Sequence, residues 1–219
     1  RIMNTRDYKQ CGAGEYYHIY NRGNAKDNIF LDEADFQFFL LRLKQNLGLE
    51  KKVNRHFRPL SPDSFSIIAY CLMPNHFHLL VKQNLDVPTG KLLSKLCTSY
   101  SMYFNKKYDR IGHVFQDQFK QKNIQNDMYL LWLSAYIHLN PVWAGIVKNA
   151  NQYQWSSVRD YLCAGGGVAK IVKPEIILGQ IAMNSYKDFL IEAQKIGEEK
   201  FDLEFDSGFV VETPVKDAP

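Results

Sequence analysis

Residues 65–81 read FSIIAYCLMPNHFHLLV, and this stretch decides the fold. Its first eight residues are mostly apolar, which favours a buried strand. Met73-Pro74-Asn75 is typical of a turn, and residues 76–81 predict a second strand. We therefore expect a β-hairpin near the middle of the chain.

Upstream of the hairpin, the pattern predicts a strand followed by a helix. Residues 16–21 (YYHIYN) are rich in strand-forming side chains and end at a turn signal, Arg22-Gly23-Asn24. Residues 32–47 place apolar side chains at helical spacing, and Gly48 stands where helices commonly end.

Downstream of the hairpin, a second amphipathic helix is expected to begin near Pro88. Residues 113–124 predict one strand, or two short ones. A third helix is capped by residue 126 or 127 and is expected to end at about residue 140, because Pro141 cannot donate a backbone hydrogen bond.

The resulting order of strand, helix, strand, strand, helix, strand favours an α+β sandwich of the ferredoxin-like kind. We expect an antiparallel sheet with helices on one face and the other face free for a site. Residues 1–164 would form this domain, and Gly165-Gly166-Gly167 is typical of a flexible break. Residues 165–219 would be an appendage, helical over 174–197 and ending in an acidic tail.

Charge is distributed unevenly along the 219 residues, whose formal net charge is +4. Residues 1–164 contain 21 Lys and Arg against 13 Asp and Glu, whereas residues 165–219 contain 6 against 10. A basic body suits a polyanionic partner. The four cysteines show neither a zinc-knuckle spacing nor a disulfide framework, and no long apolar run or signal peptide is present. We therefore expect a cytoplasmic protein without a membrane partner.

Two patterns are candidates for chemistry. His76 and His78 stand two residues apart on a predicted strand, so both imidazoles project to one face and can chelate a divalent metal. The alternative is a pair of polar residues on a solvated sheet face. Tyr136 and Asn140 stand one helical turn apart on one face of the third helix. The alternative there is a packed aromatic and an asparagine that ends the helix.

Five blocks together resemble the HUH single-tyrosine transposases, most closely the REP-associated tyrosine transposases and their IS200-like relatives. The blocks occur in the family's order over about residues 14–165. They are YHIYNRGN at 17–24, CLMPN with HFHLLV at 71–81, GHVFQDQFKQKNI at 112–124, YIHLNPVWAGIV at 136–147 and QWSSVRDYL at 154–162.

This resemblance implies roles for four residues. His76 and His78 correspond to the family's metal-ligand pair, Asn140 to its third ligand and Tyr136 to its nucleophile. The implied cation is Mg²⁺ or Mn²⁺, and the implied substrate is single-stranded DNA with hairpins, cut and rejoined through a 5′-phosphotyrosine. Trp143 departs from the basic residue of many members, which we expect to affect DNA contacts. Both a monomer and a homodimer are compatible with the resemblance.

Three other hypotheses remain open at this point. They are a non-catalytic protein that binds hairpin DNA, a relaxase or replication initiator with the same histidine motif, and a metal-free α+β protein. For a DNA-binding protein, basic side chains are the expected phosphate contacts. The candidates are Arg22, Arg55, Arg58, Lys106, Lys107, Arg110, Lys120 and Lys122.

Overall fold

The computed structural model of the chain describes residues 12–50, 58–162, 171–181 and 185–196. Two compact units are present. The first unit comprises Arg1–Ile67 and Leu72–Gln125, and the second comprises Ile68–Cys71 and Asn126–Pro219. The predicted boundary at residue 164 stays a prediction.

The first unit contains a four-stranded antiparallel sheet with two long helices, in the predicted order of elements. Its strands are paired in the order β2-β3-β1-β4, which is the ferredoxin-like arrangement and confirms the α+β prediction. The elements are β1 (Tyr16–Arg22), α1 (Glu33–Asn46), β2 (Phe65–Met73), β3 (His76–Gln83), α2 (Thr89–Lys107) and β4 (Lys120–Ile124).

The predicted hairpin is β2 and β3, joined by the two residues Pro74 and Asn75. Alternation along β3 turns Phe77 toward the helices, where its ring centroid lies 5.0 Å from that of Phe39 in α1. The expectation of a second, open face was wrong at β3, because His76 and His78 on that face are also buried.

Helix α1 begins and ends where its sequence signals predict. Asp32 accepts a hydrogen bond from the backbone of Asp35, and the Asp35 side chain reaches back to the backbone of Asp32, which forms a capping box. Gly48 follows the helix with φ of +74°, a conformation that favours glycine. The buried Asp35 also accepts from Lys107 and Tyr108, which fastens the start of α1 to the end of α2.

The described residues of the second unit form four α-helices, and they correct the sequence prediction at two points. Helix α3 is capped by Asn126 as predicted, but it continues through Pro141 to Trp143. A proline in the last turn removes only one helical hydrogen bond, so it did not end the helix. The single helix expected over 174–197 is instead two shorter ones. The helices are α3 (Asp127–Trp143), α4 (Val158–Leu162), α5 (Glu175–Leu178) and α6 (Tyr186–Ile196).

The middle of β2, residues 68–71, belongs to the second unit, and within that unit residues 156–161 hydrogen-bond to it. Ser157 Oγ accepts from the backbone nitrogen of Tyr70 at 2.9 Å, and the Tyr161 hydroxyl donates to the Ile68 carbonyl at 2.7 Å. Across the part of the chain that the structure describes, no helix has the length and apolar character needed to cross a membrane.

Candidate active site

The sheet places both histidines of the HFH sequence on one face. Their rings lie 4.9 Å apart between centroids and are nearly perpendicular. Phe77 between them points to the opposite, helix-covered face, where it also meets Phe115. The two imidazoles therefore share a side, as the strand alternation predicted.

A third imidazole, which sequence reasoning did not assign, completes this cluster. Antiparallel pairing sets Tyr20 of β1 opposite His78 and His18 opposite Leu80. His18 Nε2 lies 2.9 Å from His78 Nδ1, and the two rings stack with centroids 5.2 Å apart. The sequence could not place His18 beside His78, because the pairing of distant strands cannot be read from either strand alone.

The neighbours of His76 and His78 contact the Nδ1 atom of each ring. His76 Nδ1 lies 2.6 Å from Asn75 Oδ1. An amide oxygen only accepts, so Nδ1 carries the proton and Nε2 carries the lone pair. When His78 Nδ1 donates to His18 Nε2, the lone pair of His78 is likewise on its Nε2. Such partners at the second ring nitrogen are the usual support of metal-ligating histidines.

Burial keeps two members of this cluster uncharged. The pKa of His78 is well below its usual value because of desolvation, with smaller contributions from His76 and His18. Burial also lowers the pKa of His18 to about 3, and the charge of Lys122 adds to the effect. Neutral imidazole is the form that binds metal, so the donor chemistry fits a divalent cation.

No cluster of three or more His, Cys, Asp or Glu side chains suited to a metal ion occurs within residues 12–50, 58–162, 171–181 and 185–196. The ligand set implied by the sequence contains only two such residues, His76 and His78, because its third member is the amide of Asn140. The implied ligand set is therefore not a cluster of this kind, because its third donor is an amide oxygen.

Basic side chains lie on the same face of the sheet as the imidazoles. Lys122 is paired with His18, and Lys120 with Tyr20, so strand register turns both lysines to that face. Both are exposed, and Lys120 Nζ lies 5.8 Å from the centroid of the Tyr20 ring. Arg22 is opposite His76 and donates through Nε to Gln116 at 2.6 Å.

The other basic candidates are placed differently. Lys107 forms ion pairs with Asp32 at 2.6 Å and Asp35 at 2.8 Å, so it holds the two helices together. Lys106 is exposed near the end of α2, and Arg110 lies 3.7 Å from Asp27. Of the last two basic candidates, Arg58 is exposed and Arg55 lies outside the described residues.

Tyr136 and Asn140 lie one turn apart on α3, as predicted. Asn140 donates through Nδ2 to the Tyr136 carbonyl at 3.4 Å, which orients the amide. The Tyr136 ring packs 5.8 Å from the ring of Trp143 and is only 3% exposed. This burial matches the alternative that the sequence left open, in which Tyr136 is a packed aromatic.

His138 lies in the interior of the second unit. Its Nδ1 is 2.7 Å from the hydroxyl of Tyr186 in α6, and its Nε2 is 2.7 Å from Ser157 Oγ. Ser134 also contacts the Tyr186 hydroxyl at 3.0 Å. Burial lowers the pKa of His138 to about 3, so it is a neutral hydrogen-bonding residue that connects α3 and α6.

A family model described as "Transposase IS200 like" matches residues 16–140, which is more than half of the chain. The chain belongs to the IS200-like transposase family. This family resemblance was predicted from the sequence blocks and is confirmed. The IS200-like domain contains the imidazole cluster of β1 and β3, and it ends at Asn140.

One solved transposase structure shares the fold of this chain. The structure of a REP-associated tyrosine transposase bound to a REP hairpin matches with a TM-score of 0.53 and 17% identity, over 71% of this chain and 82% of that one. A putative transposase from Deinococcus radiodurans is 14% identical over 58% of this chain and 95% of that one, with a TM-score of 0.37. No curated protein matches the sequence.

Proposed function

We propose that this IS200-like transposase cuts and rejoins single-stranded DNA through a covalent bond between Tyr136 and a 5′ phosphate. The observation that carries the proposal is the buried imidazole pair of His76 and His78, in which each Nδ1 meets a partner. Membership in a family of DNA-processing enzymes, together with an oriented histidine pair of which His78 is held neutral by burial, supports metal-assisted cleavage of a phosphodiester.

The residues assigned to the cation are His76, His78 and Asn140, and Mg²⁺ or Mn²⁺ suits two imidazoles and an amide oxygen. When bound, the cation neutralises charge on the scissile phosphate and makes phosphorus easier to attack. The protein contributes the orientation of the donors. Asn75 and His18 hold the two rings, and the hydrogen bond from Asn140 to its own helix orients the amide.

In the proposed reaction, the phenol of Tyr136 loses its proton and its oxygen attacks phosphorus. The bond between phosphorus and the 3′ oxygen breaks, and that oxygen takes up a proton to leave a 3′-hydroxyl. Because the phosphotyrosine keeps the phosphoester bond, attack by another 3′-hydroxyl can release Tyr136 and join new DNA without ATP. The burial of Tyr136 means that DNA binding must open the packing around its ring.

The proposed substrate is single-stranded DNA that carries a hairpin. The solved relative with the same fold is bound to a REP hairpin, which makes such DNA the first substrate to test. The exposed Lys120 and Lys122, on the same face as the imidazoles, are suited to contact the backbone phosphates.

Covalent adduct formation tests this proposal. The protein is incubated with Mg²⁺ and a pool of fluorescent hairpin oligonucleotides with single-stranded flanks, then separated on a denaturing gel. Wild type should form a protein–DNA band and Tyr136→Phe should form none, while Tyr129→Phe on the same helix is the matched control and should retain the band.

The burial of Tyr136 favours a second candidate, a transposase descendant that binds hairpin DNA without cutting it. The same experiment separates the two functions. Retention of the hairpin by wild type on a native gel, with no covalent band in Mg²⁺ or Mn²⁺, would establish the non-catalytic alternative.

A further inference from the structure

An open cavity of about 510 Å³ lies inside the first unit, between α2 and the segment 112–119. It is formed entirely by residues of that unit. Its volume lies within the usual range of sites for small molecules, roughly 300–1,000 Å³. None of the residues assigned to cleavage, His76, His78, Asn140 and Tyr136, lines it.

The lining combines apolar and polar residues. Among the apolar ones, Leu93 and Phe115 are buried and Phe119 is half-buried. The polar ones include hydroxyl-bearing residues of α2 and residues of the 112–119 segment with amide or carboxylate side chains. They include Ser94, Thr98, Ser101, Gln116, Gln118 and Asp117.

The wall opposite α2 is held in place by β1 and its following turn. The Gln116 nitrogen donates to the Arg22 carbonyl at 3.0 Å, and the Asn24 nitrogen donates to the Val114 carbonyl at 2.9 Å. Asn21 Nδ2 donates to the Asp117 carbonyl at 3.1 Å. The cavity is therefore preformed, so a ligand would not need to order this segment on binding.

We propose that this cavity binds an unpaired base of single-stranded DNA, at a place separate from the site of cleavage. The inference rests on the proposed function for the nature of the partner. A planar ring can pack on Phe119, and hydroxyl and amide groups can hydrogen-bond to its edge. Asp117 can accept from an exocyclic amine of that base.

The charges around the cavity favour a DNA base as the ligand over a free phosphate ion. The lining contains Asp117 and no Lys or Arg, which disfavours a phosphate inside it. Arg22, which donates to Gln116, and Lys120, which follows Phe119, are the neighbouring cations. The base would thus enter the cavity while the phosphates on either side meet these cations.

Two substitutions on α2 test the inference. Thr98 is exposed in the lining, and Met102, one turn later, is 71% exposed and does not line the cavity. Binding of fluorescent dT20 and dA20 is measured by anisotropy without metal, and melting temperatures verify folding. Thr98→Trp should fill the cavity and weaken binding about tenfold, the scale of one stacked base, while Met102→Trp should bind as wild type does.

A second variant covers the case in which Thr98→Trp does not fold. Phe119→Leu should keep the fold and weaken binding of the same oligonucleotides several-fold, because it removes the stacking ring. Equal affinity of wild type and the folded cavity variants, or no binding of dT20 and dA20 by wild type, would overturn the inference.

The outcome is independent of cleavage, since binding is measured without metal. A loss of affinity confined to the cavity variants upholds the cavity inference, whether or not wild type forms a covalent adduct. The absence of an adduct would refute only the cleavage proposal. Conversely, an adduct together with unchanged affinity in both cavity variants would refute only the cavity inference.

Discussion

At the scale of single residues, the site depends on what each histidine touches. His18 contacts His78 at 2.9 Å, whereas Asn75 contacts His76 at 2.6 Å. Asn75 is adjacent to His76 in sequence, but His18 is 60 residues away from His78. Strand alternation therefore predicted that His76 and His78 share a face. The contact of His18 could not be predicted, because it depends on the pairing of β1 with β3.

His18 is a positioning residue for the proposed metal site, and its removal should weaken metal binding. His18→Phe keeps a ring in the stack but removes the nitrogen that meets His78 Nδ1. We expect the affinity for Mn²⁺ to fall about tenfold or more, as measured by titration calorimetry. His113→Phe changes an exposed histidine of the same unit and is the matched control. Equal Mn²⁺ affinity of His18→Phe and wild type would refute the role.

Charge on β4 gives a second prediction at this scale. Lys122→Gln should reduce the slope of log K against log salt for single-stranded DNA by about one, because one phosphate contact is lost. Lys107→Gln should leave the slope unchanged and instead lower stability by about 1–2 kcal/mol, because the buried Asp35 carboxylate loses one of its hydrogen-bond donors and keeps Tyr108. If Lys107→Gln reduced the slope and Lys122→Gln did not, the phosphate contact would lie at the end of α2 and not on β4.

At the scale of elements, the sequence predicted features that depend on neighbouring residues, but not features that depend on contacts between distant parts of the chain. The cap Asn126 and Gly48 after α1 fix helix ends through contacts within a few residues, and they were predicted, whereas Asp32, predicted as the first residue of α1, is its N-cap. Pro141 was misjudged because a proline is tolerated in a final turn. The wall formed by residues 112–119 could not be predicted, because its hydrogen bonds go to β1, about 90 residues away in sequence.

The connection between α3 and α6 predicts a pH dependence of stability. His138 is neutral in the folded chain because burial lowers its pKa to about 3, whereas unfolding restores an ordinary value near 6.5. Between these values the unfolded chain binds more protons, so stability falls as pH drops from about 6.5 toward 3. The expected contribution is about 1.4 kcal/mol per pH unit.

Urea unfolding of EDTA-treated protein at several pH values measures this contribution. His138→Gln should show a flatter dependence than wild type between pH 6.5 and 4, with a remaining slope from buried His18, whose pKa is also about 3. An identical slope in His138→Gln and wild type would show that His138 is not held neutral by the fold.

At the scale of the whole molecule, family and fold agree, while the chemistry rests on particular residues. The IS200-like match covers residues 16–140 and includes the four residues assigned to cleavage. The sequence predicted the ferredoxin-like order and the shared side of His76 and His78. It left open whether Tyr136 is buried, because exposure depends on packing among elements that are distant in sequence.

The most direct measurement of the central claim is the mass of the covalent adduct. Wild-type protein is incubated with Mg²⁺ and hairpin oligonucleotide, digested with nuclease and protease, and analysed by tandem mass spectrometry. The expected result is a nucleotide phosphate on the peptide that contains Tyr136, at that residue. A phosphate on any other side chain, with Tyr136 unmodified, would contradict the assignment of the nucleophile.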